Sequence, residues 1–203
     1  TQGVAPAAGR PADARRKSRV FLIGVDGATF TVLNPLLKEG RLPNFRRLMD
    51  QGASGVLLST IPPLSPVAWT TITTGVSPGR HGIFDFVGLH RQERKPFFFS
   101  SALRRFPPIW NVLGAQGMRS CVVNVPMTYP ADKVNGFMLC GLATTHSGEH
   151  FAYPKAVFDD MVRELGPYAF TVNATGYRKL VESMRRIAAS RLRVAQYLLN
   201  REK

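Results

Sequence analysis

Between Ser59 and Ile83 the backbone has few conformations open to it. Pro62 and Pro63 stand side by side. Each fixes its own φ and drives its predecessor out of the helical region, so a helix cannot begin before Leu64. Ser65 then precedes Pro66, an order that suits a helix start with a hydroxyl at the N-cap and a proline at the first helical position. Val67, Ala68, Trp69 and Ile72 supply apolar contacts, and Gly75 offers a left-handed stop. Two readings of Ser65 follow. It is a capping serine on a short structural helix, or a nucleophile at a helix N-terminus, where free backbone N–H groups favour an anion.

Upstream, Arg19-Val-Phe-Leu-Ile-Gly-Val25 is a near-continuous apolar run, the pattern of a central strand buried on both faces. It ends at Asp26-Gly27. Ligands of open parallel sheets gather beyond the carboxyl ends of the strands, which puts Asp26 where chemistry occurs, although Asp-Gly alone is an ordinary turn. Phe30 to Gly40 reads as a short helix stopped by glycine, Leu42 to Gly52 as a second with Pro43 in its first turn, and Ser54 to Ser59 as a strand. This alternation predicts an α/β fold: a mostly parallel central sheet with helices on both faces.

Further along, Pro107 to Gly117 reads as a helix, Met118 to Val125 and Phe137 to Cys140 as buried strands, and Lys155 to Leu165 as a helix closed by Gly166. Phe97, Phe98 and Phe99 sit among basic residues in an excursion whose aromatics pack back on the sheet, with an aromatic substrate clamp as the alternative. A long final helix places Leu180, Met184, Ile187, Ala188, Ala195, Leu198 and Leu199 on one face and Arg178, Lys179, Arg185, Arg186, Arg193 and Arg201 opposite. His146 and His150 are four apart, but the intervening Gly148 argues against a helical zinc face.

The chain of 203 residues carries a formal net charge of +14. Its basic residues are dispersed and accompanied by no zinc finger, recognition helix or RNA-binding signature, so a solvated surface is expected rather than a specific nucleic-acid partner. No apolar run is long enough for a membrane span. Thr1 to Ser18 lacks the apolar centre of a secretory signal and reads as a disordered tail, with residues 19–203 as the folded part and a cytoplasmic location. Cys121 and Cys140 both fall in apolar runs and read as buried thiols in a reducing compartment.

Taken together, Val25-Asp-Gly, Ser65-Pro-Val-Ala-Trp, Thr74-Gly-Val-Ser-Pro-Gly-Arg-His-Gly-Ile83 and Asn124-Val-Pro-Met-Thr-Tyr-Pro130 resemble the alkaline phosphatase superfamily, in particular its type I phosphodiesterase and nucleotide pyrophosphatase branch. The resemblance implies a hydrolase of phosphodiester or phosphate-ester bonds with two divalent metal ions, usually zinc. It implies that Asp26 binds one of them and that Ser65, bound to the same ion, attacks phosphorus to give a phosphoseryl intermediate. Relatives that act on nucleotides carry an asparagine where this chain has Phe86, so the resemblance leaves the nucleotide class open. Asp85 beside it is a poor substitute, because a carboxylate repels phosphate. His81, in Arg80-His-Gly, belongs to a segment that is mainly structural in the family. Thr144, Thr145, His146 and His150 fall near the active-site rim by analogy.

The other family ligands, two aspartates and three histidines, match nothing here. A catalytic zinc takes three protein ligands, and Asp26 with Ser65 supplies two at most. A helix N-terminus gives a nearby anion only about 0.3–1 kcal/mol. Zinc lowers the pKa of bound water from about 15.7 to about 7, on the order of 12 kcal/mol. The metal therefore activates and the helix positions. The expectation is an N-terminal portion of a larger domain, incomplete at its C-terminus and inactive alone, whose partners are the rest of that domain and a small phosphate-ester substrate. The alternative is a non-catalytic remnant that binds anions or a partner.

Overall fold

The structure, a computed structural model, describes residues 19–90, 92–141, 149–168 and 175–201. Thr1 to Ser18 and the candidate rim residues Thr144, Thr145 and His146 lie outside the described residues. The chain divides into two compact units, the first ending at Pro43 and the second running from Asn44 to Lys203.

In the first unit, the apolar run leads into a turn at Asp26-Gly27 and then α1 (Phe30–Lys38). Glu39 ends α1 with its N–H on Pro35 O and Leu37 O, and Gly40 follows at φ 70°. The expected strand from Arg19 to Val25 does not form: Val20 is 90 % exposed and Ile23 80 %, and no ladder bond is assigned to it. The segment from Ser54 to Ser59 behaves the same way, with Val56, Leu57 and Leu58 all exposed. A strand buried on both faces needs a neighbour on each side, and among the described residues neither segment has one. The mostly parallel sheet is accordingly not seen; what exists is α/β with small sheets of mixed sense.

All of α2 (Pro43–Gln51) but its first residue falls in the second unit, which continues with α3 (Ser65–Thr74) and the single turn α4 (Pro78–His81). A hairpin follows: β1 (Val87–Leu89) pairs antiparallel with β2 (Pro96–Phe98). Phe97 and Phe99 lie close over Gly88, while Phe98 is 80 % exposed. The aromatics thus pack on the hairpin itself rather than on a central sheet.

The larger sheet comprises β3 (Ser120–Val125), β4 (Gly136–Cys140) and β5 (Ala152–Tyr153), in that order. β3 runs parallel to β4 and β5 antiparallel to it. The period of two in β4 divides the core. Phe137 and Leu139 join Phe151, Met161, Val194 and Leu198 on one side, and Met138 joins Trp110, Val122 and Val134 on the other. The first side is covered by α6 (Lys155–Leu165) and α7 (Tyr177–Arg201), the second by α5 (Ile109–Ala115). Helices therefore flank this sheet on both faces. Cys121 alternates outward and is exposed, correcting the expectation of two buried thiols; no disulfide joins it to buried Cys140.

On α7 the buried stripe is Ser183, Ile187, Ser190, Val194 and Leu198. Leu180, Met184, Ala188 and Leu199, expected on the packed face, are exposed. The apolar arc of α7 is wider than the groove it meets, so neighbours and not hydrophobicity decide which half is covered.

Candidate functional site

The entry to α3 is shaped by Thr60, whose hydroxyl donates to Pro62 O at 2.9 Å, and by the Leu64 N–H, which donates to the same carbonyl at 3.0 Å. Leu64 is extended, with φ −101° and ψ 139°, and is the N-cap; its carbonyl accepts the first helical bond from Ala68 at 2.9 Å. Ser65 is therefore the first helical residue and not the cap, with Pro66 after it. The cap position belongs to Leu64, whose side chain makes no capping bond, so the capping-serine reading does not describe Ser65. The N–H groups of Ser65 and Val67 have no partner within the helix by α-helical geometry, and Pro66 has none to offer. Half-buried Ser65 thus sits at the positive end of the helix.

The body of α3 is tied down from several sides. Pro66 and Val67 are buried. The Thr70, Thr73 and Thr74 hydroxyls donate to Pro66 O, Trp69 O and Thr70 O at 2.7, 2.9 and 2.6 Å. Gly75, at φ 69°, ends the helix with its N–H on Thr71 O, a conformation that glycine adopts without a Cβ penalty.

The next turn, α4, brings His81 back against α3. Its imidazole is completely buried, Nε2 lies 3.0 Å from Thr71 Oγ1, and Nδ1 accepts from the Ile83 N–H at 3.1 Å. An N–H already points at Nδ1, so the ring proton belongs on Nε2 and His81 donates to Thr71. Burial holds this imidazole below its ordinary pKa. His81 is thus a structural tie, as the sequence suggested, but its partner Thr71 was not legible beforehand.

Asp26 is exposed, in the turn that closes the apolar run of the first unit. Ser65 belongs to the second unit. Phe86, at the position of the family asparagine, is half-buried, and its carbonyl accepts from Phe99 N–H at 2.9 Å at the base of the hairpin. The exposed Asp85 carboxylate accepts from its neighbour Phe86 N–H. His150 is exposed and its carbonyl accepts from Ala131 N–H at 2.8 Å. Among the described residues, no group of three or more His, Cys, Asp or Glu could hold a metal ion.

The segment from Asn124 to Pro130 shapes the end of β3. Asn124 and Met127 are left-handed, at φ 58° and 62°, and the register with β4 shifts between Val123 and Val125. The buried Thr128 hydroxyl donates to Val125 O at 2.6 Å and accepts from Gly141 N–H at 3.1 Å. The Cys140 thiol donates to Thr128 O at 3.1 Å, and burial pushes its pKa up to about 12. Sequence reading also missed Asp132, whose Oδ2 accepts from Arg104 Nη2 at 2.6 Å and Trp110 Nε1 at 2.8 Å. Nothing in its local sequence marks it, because its partners come from other segments.

Searches of curated proteins and of solved structures return no match. The model of the type I phosphodiesterase / nucleotide pyrophosphatase family matches residues 20–197. That span takes in the Asp26 turn, the Ser65 helix, the His81 turn and the Asn124–Pro130 bulge, so the chain belongs to the type I phosphodiesterase / nucleotide pyrophosphatase family.

Proposed function

We propose that this chain carries the nucleophile of a metal-dependent hydrolase of phosphodiester or phosphate-ester bonds, with Ser65 as that nucleophile. The observation that carries the reading is the place of Ser65 as the first residue of α3, at the helix N-terminus, within a chain of this family. Asp26 and Ser65 would hold one of two divalent ions, zinc by preference. Their hard oxygen donors suit such a cation, but they fall short of the three protein ligands that a catalytic zinc takes. The remaining ligands are proposed to come from polypeptide beyond this sequence. When bound, the metal supplies Lewis-acid stabilisation of the developing charge and lowers the pKa of the serine hydroxyl.

The chain's own contribution is positional. The N-terminus of α3, where Ser65 stands, favours the negative charge of a phosphate oxygen. Ser65 Oγ attacks phosphorus in line: its O–P bond forms, the bond from phosphorus to the leaving oxygen breaks, and that oxygen gains a proton. Water then cleaves the phosphoseryl bond and restores the hydroxyl. Phe86 supplies no amide to hold a phosphate oxygen, which favours esters other than those taken by asparagine-bearing relatives.

The test uses a polypeptide that joins this chain to the further metal ligands, with zinc and an aryl phosphodiester. Ser65→Ala should abolish phosphoenzyme formation and leave zinc content nearly intact, whereas turnover equal to wild type refutes the assignment. Absence of zinc-dependent hydrolysis in the wild type itself would favour an anion- or partner-binding remnant instead.

A further inference from the structure

His81 carries more than a packing role, given the geometry of its two ring bonds. α3 is ten residues long, and Thr71 lies six positions after Ser65, about 9 Å along the helix axis. The Thr70, Thr73 and Thr74 hydroxyls all donate back into α3 itself. The bond from His81 Nε2 to Thr71 Oγ1 instead joins α3 to α4. The backbone of His81 anchors the same turn: its N–H donates to Ser77 O at 3.1 Å and its carbonyl accepts from Arg105 N–H at 3.0 Å.

We propose that His81 positions the Ser65 helix, and does so only as the neutral imidazole with its proton on Nε2. Protonation turns Nδ1 from an acceptor into a donor facing the Ile83 N–H and leaves a charged ring fully buried. The Nε2–H can still donate to Thr71, but the His81 turn that carries it is driven to open, and α3 loses its hold on α4. This rests on the reading of Ser65 as nucleophile, because it makes presentation of that hydroxyl dependent on pH.

The surroundings offer a second charge no compensation. α3 contains no titratable side chain. α4 contributes Arg80, whose guanidinium lies 4.6 Å from the Phe106 ring centroid. The adjoining segment contributes Arg105, which runs along Gly82, and Arg104, already paired with Asp132. Beyond Ile83, the Asp85 carboxylate is exposed and bonded to Phe86 N–H. Neither ring bond of His81 goes to an acid.

The experiment uses the full 203-residue chain, isotopically labelled. Long-range proton–nitrogen correlation at neutral pH should show His81 Nε2 protonated and Nδ1 bare; the opposite tautomer overturns the proposal. Amide-exchange protection factors for Ala68 to Gly75 should fall about tenfold or more between neutral pH and about pH 5, as a buried neutral histidine is forced to charge. His81→Gln keeps an N–H donor for Thr71 and cannot titrate, so its protection should change less than about twofold over that range. Protection in the wild type that is flat with pH, or a fall in His81→Gln equal to wild type, refutes the lock. Should His81→Gln fail to fold, Thr71→Ala replaces it: it removes the α3 end of the tie, so protection of Ala68 to Gly75 should already be about tenfold lower at neutral pH, and protection equal to wild type there refutes the lock. These readings need no metal and no turnover. A failed phosphoenzyme assay would therefore sink the Ser65 assignment and leave the lock standing, and the reverse holds equally.

Discussion

Replacing Asp132 with Ala should be among the most damaging single changes in the second unit. The Arg104 side chain is only 6 % exposed and that of Asp132 19 %, and one carboxylate oxygen accepts from both Arg104 Nη2 and Trp110 Nε1. Removing one partner of a buried pair costs about 3–5 kcal/mol, because the other charge stays desolvated and unpaired. An unsatisfied indole N–H by itself would cost about 1–3 kcal/mol. Both losses arise from the same oxygen and are not summed; partial access of water to position 132 sets the expectation at about 3 kcal/mol. Asp132→Asn keeps an acceptor but no charge and should fall between wild type and Ala. The joint change of Arg104→Met with Asp132→Leu should recover only part of the loss, since apolar replacement of a buried ion pair is often near neutral while the Trp110 indole N–H still lacks its acceptor. Urea unfolding followed by tryptophan fluorescence reads the difference, with the m-value required to stay constant. A cost below about 1 kcal/mol for Asp132→Ala, the range of exposed pairs, would refute the claim that this pair is a buried tie. The tie also reaches the site, because Arg105, next along the chain, donates its N–H to His81 O.

Gly141→Ala would place a Cβ 2.3 Å from Val125 O and 2.4 Å from Val125 C. These are backbone atoms that cannot swing aside, so loss of the cooperative unfolding transition is expected by circular dichroism. Under native conditions a maleimide should label exposed Cys121 and spare Cys140, whose thiol is buried and held protonated; equal labelling of both would contradict the packing around Thr128. Stability should also fall on mild acidification. The His81 pKa is depressed in the folded state, so the unfolded chain binds the extra proton. The contribution of His81 is present above about pH 6.5 and declines below it by up to about 1.36 kcal/mol per pH unit until the folded value is reached. At lower pH a second loss is expected: the Asp160 carboxylate, held low chiefly by its hydrogen bond from Arg201, ties α6 to α7 and releases it once protonated. Hydrogen exchange in α7 that is unchanged down to about pH 2, below the ordinary carboxylate range, would count against this.

Local signals carried a good part of the fold. Gly40 and Gly166 mark the ends of α1 and α6, and Pro154 marks the start of α6, because these residues act through their own backbones. β3 and β4 were legible as apolar runs between turns. What failed depends on distant partners. The runs at Arg19 to Val25 and Ser54 to Ser59 have the composition of core strands, yet ladder bonds come from other segments, and composition cannot supply them. On α7, Ser183 and Ser190 are buried while Met184 and Leu199 are not, a choice made by the facing helix. For the site, the sequence marked Ser65 and the helix it begins. It misjudged the cap by one residue because the extended Leu64, and not the serine hydroxyl, starts the hydrogen-bonded turn. The pairing of Thr71 with His81 has no sequence signature, since it depends on how α4 turns back.

Val20 to Val25 and Val56 to Leu58 have a consequence for handling the molecule. Exposed apolar segments without a ladder partner invite another copy to lie alongside and knit a ladder between molecules. The formal charge of +14 pushes copies apart. That repulsion reaches about 10 Å at 0.1 M salt and only about 3 Å at 1 M. Ionic strength, more than temperature, should therefore set how long a concentrated solution stays clear.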